Sequence, residues 1–180
     1  IFIYGGNLGK PQGVDFLITC LDANKERNDC HFLIVGNGTE YPKIENWYHN
    51  NSPCNTTLLA RLPKEEYDCL VQSCDVGLIF LDNRFMIPNY PSRLLSYLEF
   101  KMPVIAATDV NTDIGTIAEA NGYGYWCESK ETGEFDNCID KYVREPETIK
   151  EMGENGYRFL LNNYQVKYTY QKIISHIKKV

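Results

Sequence analysis

No Cys-x-x-Cys occurs in the 180 residues, and the three histidines, His31, His49 and His176, cluster neither with one another nor with the cysteines. That spacing excludes the usual zinc ligand patterns, and no metal is expected. No apolar run approaches the roughly 18 residues of a membrane span. No signal peptide is expected either. A basic excess is also missing: 24 acidic side chains against 18 basic ones leave a net charge of −6. Non-specific nucleic-acid binding needs a basic face, so no nucleic-acid partner is expected, although a local basic pocket for a small anion is compatible with this balance. There is no internal repeat, low-complexity tract or linker. There is no Ser-His-Asp or Cys-His constellation, and no acid pair is spaced as a carboxylate dyad.

What is present describes a globular chain. Hydrophobic residues make up 43%, and 180 residues suffice for one sizeable domain but are marginal for two. The seven cysteines (Cys20, Cys30, Cys54, Cys69, Cys74, Cys127 and Cys138) are odd in number and scattered. They are expected to be reduced, mostly buried thiols of a cytosolic protein, which makes the sequons at Asn37, Asn50 and Asn55 incidental. The chain opens with Ile1 and enters a strand-like IFIY at once, as expected of a domain excised from a longer protein.

The chain is organised around Asp75–Ala107. Val76–Phe80 and Val104–Ala107 have the length and bounding of buried strands. Between them Asn89-Tyr90-Pro91-Ser92-Arg93 reads as a helix start, with Pro91 in the first turn and Ser92 and Asn89 available as caps. Leu94, Leu95 and Leu98 give the buried stripe. A helix start at the carboxyl end of a parallel strand offers free N–H groups and a positive dipole end, and Arg93 adds a fork of donors. A phosphate is expected there.

The rest alternates. Ile1–Tyr4 reads as a strand, followed by the glycine-rich Gly5–Gly13 and a helix carrying Val14, Leu17, Ile18 and Leu21. Phe32–Val35 is a second strand ending in Gly36-Asn37-Gly38, followed by a polar helix up to Asn50–Pro53. Thr56–Ala60 is a third strand, and Pro63 opens a helix with Tyr67, Leu70 and Val71 inward. After Ala107 come a loop and short helix, a strand at Gly124–Cys127, and helices over 132–143, Pro146–Asn163 and about Lys167–Lys179, the last burying Tyr170, Ile173, Ile174 and Ile177. Apolar strands alternating with helices imply an α/β fold, a doubly wound parallel sheet of about six strands with helices on both faces. Ligands of such sheets sit beyond the carboxyl ends of the strands.

Four features fall there: Gly5–Gly13 with Lys10 as its cation, Gly36–Gly38, Arg61-Leu62-Pro63, and Asn89–Arg93. Glycines let backbone N–H groups approach a phosphate, although the first loop is neither G-x-G-x-x-G nor a P-loop. Gly36-Asn37-Gly38 reads equally as a tight turn. Arg61 reads as a surface cation or a ligand contact, with the backbone beside it able to hold a nucleobase edge. An arginine in a first helical turn opposes the dipole at a cost of roughly 0.3–1 kcal/mol, and an anion there would reverse the sign. Tyr97, one turn beyond Arg93, either stacks on a ligand ring or packs in the core. Asp109 and Asp113 read as caps of the short helix near Ile114, and His31 and His176 as structural.

The order of these pieces resembles the C-terminal, nucleotide-sugar-binding half of a GT-B glycosyltransferase, nearest to family GT4. The matching stretches are IFIYGGNLGKPQGVDFLI, FLIVGNGTEYPKI, LLARLPKEEYDCLVQSCDVGLIFL, NYPSRLLSYLEFKMPVIAATD and the closing helices, with Lys101-Met102-Pro103-Val104-Ile105-Ala106 the most telling. The resemblance implies that residues 1–180 are a single Rossmann-like donor domain of a two-domain retaining transferase, acting without a metal or other cofactor. By resemblance Gly6, Asn7, Lys10, Gln12, Ser92 and Arg93 hold the donor diphosphate. Gly36, Arg61, Leu62, Ser96 and Tyr97 face base and ribose, and Asn89, Tyr90 and Pro91 lie near the sugar. It further implies a nucleotide-sugar donor such as a UDP-sugar, and a saccharide or lipid-linked acceptor in cell-surface polysaccharide synthesis. The partners implied are an N-terminal acceptor-binding domain and peripheral membrane contact through it, at the cytoplasmic face.

The sequence departs from the family in two places. Many relatives carry an Arg and a Lys in the first loop, where Asn7 and Gln12 stand here. Many also carry two glutamates eight positions apart before the P-V-I-A strand, where Pro88 and Ser96 stand. Two other readings therefore stay open: a nucleotide-binding or scaffolding module without catalysis, and a nucleotide-sugar 2-epimerase.

Overall fold

The computed structural model describes residues 1–84, 87 and 89–177. Among these residues six strands form one sheet: β1 (Phe2–Asn7), β2 (Phe32–Asn37), β3 (Thr56–Leu59), β4 (Val76–Phe80), β5 (Val104–Thr108) and β6 (Gly124–Glu128). All pairings are parallel, in the order β3-β2-β1-β4-β5-β6. The helices are α1 (Val14–Asn24), α2 (Tyr41–Asn51), α3 (Lys64–Gln72), α4 (Arg93–Glu99), α5 (Ile114–Ala120), α6 (Thr132–Arg144), α7 (Thr148–Asn163) and α8 (Val166–Ile177).

Strand alternation divides the core in two, because successive side chains leave a strand on opposite faces. Phe2, Tyr4, Phe32, Ile34, Leu78 and Phe80 meet α1, α2 and α6 on one face. Ile3, Leu33, Val35, Ile79, Val104 and Ala106 meet α3, α4 and α5 on the other. Burial on both faces explains why the strands read as near-continuous apolar runs. The doubly wound expectation is therefore met, with the strand order turning back between β1 and β4.

Helix α7 braces α4 from outside. Its Gly153 lies so close to the chain leaving α4 that a β-carbon there would stand 1.9 Å from the Lys101 carbonyl oxygen. Lys101 itself has φ +56°, a left-handed conformation that usually falls to glycine after a helix. Its ammonium reaches Glu154 at 2.7 Å.

Several sequence expectations need correcting. Strand β1 runs on to Asn7, pairing with β2 as far as Asn7↔Asn37, so Gly5 and Gly6 belong to the strand and not to a loop. Helix α8 buries none of its residues: Tyr170, Ile173 and Ile177 are 63%, 54% and 63% exposed. An amphipathic stripe states that one face suits burial but does not supply a partner, and among the described residues no element covers this one. All seven cysteines are free thiols. Cys20, Cys127 and Cys138 are buried, Cys30 and Cys74 half-buried, and Cys54 and Cys69 exposed. Asp113 precedes α5 without a side-chain cap bond. Asp109 instead closes its own turn, accepting from the N–H groups of Asn111 and Thr112 and from the Thr112 hydroxyl. The end of the 167–179 helix expectation, from residue 178, lies outside the described residues.

The close approach of α7 to α4 predicts that Gly153→Ala lowers the urea unfolding free energy by at least about 1–3 kcal/mol, the usual cost of overpacking. Gly133→Ala on α6, where an added β-carbon meets nothing within 4 Å, should leave it unchanged or raise it.

Candidate functional site

Beyond the carboxyl ends of the strands lies a cleft of about 800 Å³. It opens where the sheet itself opens. β1 pairs with β2 over six residues but with β4 only at Phe2↔Val76 and Ile3↔Gly77. Past that point the two central strands part, and Tyr97 of α4 fills the gap. Its hydroxyl donates to the Ile3 carbonyl and accepts from the Gly5 N–H, each at 3.2 Å. In a parallel ladder those two groups would go to one residue of the neighbouring strand. A single phenol thus stands in for a peptide group of β4. Gly77 makes room for its ring, since a β-carbon there would lie 2.4 Å from Tyr97 Cδ2. Tyr97 is fully buried, its phenol held well above the usual range by that burial. It is absent from the cleft wall, so the expectation that it faces a nucleobase or ribose is corrected: the ring is spent on the strand gap.

Arg93 sits at the mouth of this gap. Its guanidinium carbon lies 4.2 Å over the centre of the Tyr4 ring, a cation–π contact. Nη2 reaches the Asn7 carbonyl at 3.4 Å, and the Tyr4 hydroxyl donates to that same carbonyl at 2.7 Å. Burial pushes the Tyr4 phenol up, and the guanidinium above it pulls it partway back. Nη1 is buried and has no hydrogen-bond partner among the described residues. An unpaired buried donor costs of order 1–3 kcal/mol, more when charged, so an acceptor brought within reach of this nitrogen would be favoured.

Gly6 forms the opposite lip. It holds φ +123°, and a β-carbon there would meet Arg93 Nη2 at 3.7 Å. Asn7 and Gln12 also line the cleft and bond to each other, Nδ2 to Oε1 at 3.1 Å. From the β2 and β3 ends come Gly36, Arg61 and Leu62, and from the segment before α4 come Asn89, Tyr90, Pro91 and Ser92, with Ser96 one turn on. Lys10 lies in the single helical turn Lys10–Gln12, exposed and off the cleft wall, so the cation expected from the first loop is not among the lining residues. Pro88 lies outside the described residues.

The start of α4 differs from the expected form. The helix begins at Arg93 and spans seven residues, and Ser92 makes no side-chain cap bond. The Leu94 and Leu95 N–H groups are taken by the carbonyls of Pro91 and Ser92. Little of the dipole and few free amides are left, so the positive character of this corner rests on the Arg93 side chain.

Among the described lining residues the cleft carries Arg61, Lys64 and Arg93 and no carboxylate. Lys64 is partnered by Asp68. This is a cationic hollow in a protein of net charge −6. No group of three or more His, Cys, Asp or Glu side chains able to hold a metal occurs among the described residues. A second cleft of about 450 Å³ opens near the amino ends of the strands, beside Asp29, Gln72 and Lys150. Among the described residues it has no unpaired buried donor like Arg93 Nη1.

Three contributors to the site were not marked as such in the sequence: Lys64, which opens α3 and lines the cleft, and two tyrosines. Tyr4 reads there as one more strand residue, and Tyr67, which lines the cleft from α3, as an inward helix position. Only the partner each meets in space distinguishes them from core.

Comparison with known proteins agrees with this geometry. The family described as Glycosyl transferases group 1 matches residues 1–159. A probable glycosyltransferase of Pseudomonas aeruginosa, WbjE, is 21% identical over 78% of this chain and 35% of its own length. An uncharacterised glycosyltransferase of Methanocaldococcus jannaschii is 27% identical over 99% of this chain and 46% of its own. The chain thus spans about a third to a half of the curated relatives it matches. Among solved structures, Anabaena HepE in complex with UDP superposes with a TM-score of 0.77 at 14% identity, over 99% of this chain and 49% of HepE. No helix among the described residues is long and apolar enough to cross a membrane.

The orphan donor on Arg93 predicts that inorganic pyrophosphate raises the melting temperature of the protein. At tenfold excess over Kd the gain is about 1.4 kcal/mol. Arg93→Met, which keeps an aliphatic cover over Tyr4, should abolish the shift, as read by differential scanning fluorimetry.

Proposed function

The chain belongs to the group 1 glycosyl transferases, and on that premise we propose that its cleft binds the nucleoside diphosphate part of a sugar donor. The observation that carries this reading is Arg93, which lines a cleft whose described charged residues are all cationic and whose Nη1 has no hydrogen-bond partner among the described residues. A diphosphate supplies the acceptors this corner lacks. Arg93 would hold it by a charge-assisted bond, the Gly6 backbone would let it approach closely, and Arg61 and Leu62 would face the base. The side chains alone carry the counter-charge in this reading, and no metal enters it. HepE, solved with UDP, makes a uridine diphosphate the first donor to try.

In transfer, negative charge grows on the diphosphate as the sugar leaves. A guanidinium already fixed over Tyr4 stabilises that charge without having to reorganise. The reaction proposed for the whole protein is retaining transfer of a hexose to a saccharide or lipid-linked acceptor, as in polysaccharide synthesis. This chain would be the donor half and a further domain would present the acceptor. The share of its relatives that the chain covers supports that division of labour. A second reading, nucleotide binding without turnover, is favoured by one observation: Ser96 lines the cleft where many relatives, by the resemblance, carry a glutamate.

Calorimetric titration with UDP, GDP, UDP-glucose and GDP-mannose in the presence of EDTA tests the proposal. Saturable binding of one base series is expected, with Arg93→Ala weakening it by roughly 1.5–3 kcal/mol, as for a lost bond to a charged group. If the folded chain binds none of them at millimolar concentration, the donor-site reading fails.

A further inference from the structure

An open sheet has two edges, and among the described residues they are β3 and β6. An edge strand presents unpaired N–H and C=O groups, a template on which another chain can add a strand. The edge of β6 is closed to that by side chains from both of the helices beside it.

Pairing with β5 fixes which groups face outward. The Tyr123 carbonyl accepts from the Val104 N–H, and the Ser129 N–H donates to the Thr108 carbonyl. Every second residue from Tyr123 to Ser129 therefore points at β5. In a parallel strand the residues between turn their backbone groups the other way, so Gly124, Trp126 and Glu128 point outward. Gly124 is buried. The Trp126 N–H donates to Glu119 Oε1 at 3.3 Å, and the Glu128 N–H donates to Glu134 Oε2 at 3.1 Å. The Trp126 carbonyl accepts a weak bond from the Cys138 thiol at 3.7 Å. Glu119 comes from α5 on one face of the sheet, and Glu134 and Cys138 come from α6 on the other.

Each carboxylate takes a donor that an added strand would need. Without them the edge suits pairing. Its residues are rich in strand formers, Tyr125 and Trp126 among them, and both are only half-buried. A second copy of the chain is the occupant the geometry favours. Two identical edges related by a two-fold axis run antiparallel, so the same outward groups meet on both sides. The half-buried aromatics would then pair across the join. With the glutamates present, the same approach brings both pairs of carboxylates into one seam, in chains that each carry a net charge of −6.

We infer that the β6 edge is a pairing surface for a second copy of this chain, antiparallel about a two-fold axis, and that Glu119 and Glu134 hold it closed by occupying its outward N–H groups.

The test is sedimentation velocity on wild type, on Glu119→Ala/Glu134→Ala and on Glu119→Gln/Glu134→Gln at equal concentration. The alanine pair should double in mass relative to wild type as concentration rises. The glutamine pair, which keeps an acceptor oxygen at each position, should sediment as wild type does. An alanine pair that keeps the wild-type mass overturns the inference. A glutamine pair that associates like the alanine pair also overturns it, because occupied N–H groups would then not be what closes the edge. Amide hydrogen exchange locates the contact. In the alanine pair the Trp126 and Glu128 amides should exchange fast when dilute and slow down when associated. Association that leaves both amides fast lies elsewhere on the molecule and overturns the inference. Should the alanine pair not fold, the wild-type amides decide: both should be protected, and exchange at the rate of an unstructured peptide would show an open edge and overturn it.

Discussion

The parting of β1 from β4, and the phenol that bridges it, is the constraint on which the rest of the site depends. Two central strands that separate after two paired residues would leave the Ile3 carbonyl and the Gly5 N–H buried without partners, each at a cost comparable to a lost hydrogen bond. Tyr97 satisfies both with one oxygen. This lets the cleft reach down between the strands. It also fixes the face of α4: with Tyr97 turned to the sheet, Ser96 and Arg93 are left to line the cleft. Gly77 is the corresponding concession in β4, losing its side chain so that the ring can lie flat on the strand.

Arg93 is the second consequence. A seven-residue helix whose first free amides bond to the preceding carbonyls has little dipole to offer an anion. The positive charge is instead delivered by a side chain pinned from three sides: the Tyr4 ring below, the Asn7 carbonyl beside, and the Gly6 backbone opposite. Pinning matters because a free arginine loses up to about 2 kcal/mol of rotamer freedom when it is immobilised. Here the fold has already absorbed much of that loss, and one nitrogen stays unpaired as a result.

Outside the sheet, α7 holds this arrangement in register. Gly153 and Gly156 let it lie close against α4 and Tyr123. Tyr164 at its end bonds the Tyr90 hydroxyl on the cleft wall. The wall segment before α4 is thereby tied at both ends, by Tyr90 to α7 and by Arg93 to β1. Pro91, buried between them, needs no N–H partner there.

The helical spacing of apolar residues, the short apolar strands and the glycines at strand ends were enough to read six parallel strands covered on both faces, and the end of the sheet where a ligand would sit. Arg93, Gly6, Gly36 and Arg61 could be picked out as well, because a cation in a first turn, and glycines or a cation at the carboxyl end of a strand, are local signals. Three things were not legible: that Tyr97 is consumed by a strand gap, that Lys10 turns away, and that Tyr4, Lys64 and Tyr67 join the site. A buried tyrosine looks the same in a sequence whether it fills the core, replaces a peptide group or floors a cleft. The stripe on α8 likewise announced a face suited to burial but not whether this chain would cover it. Local pattern follows from chain geometry and side-chain chemistry, and so the sequence alone determined it. Which polar groups are left unpaired follows from distances between segments up to about ninety residues apart, such as Gly5 and Tyr97, and those only the folded structure decided.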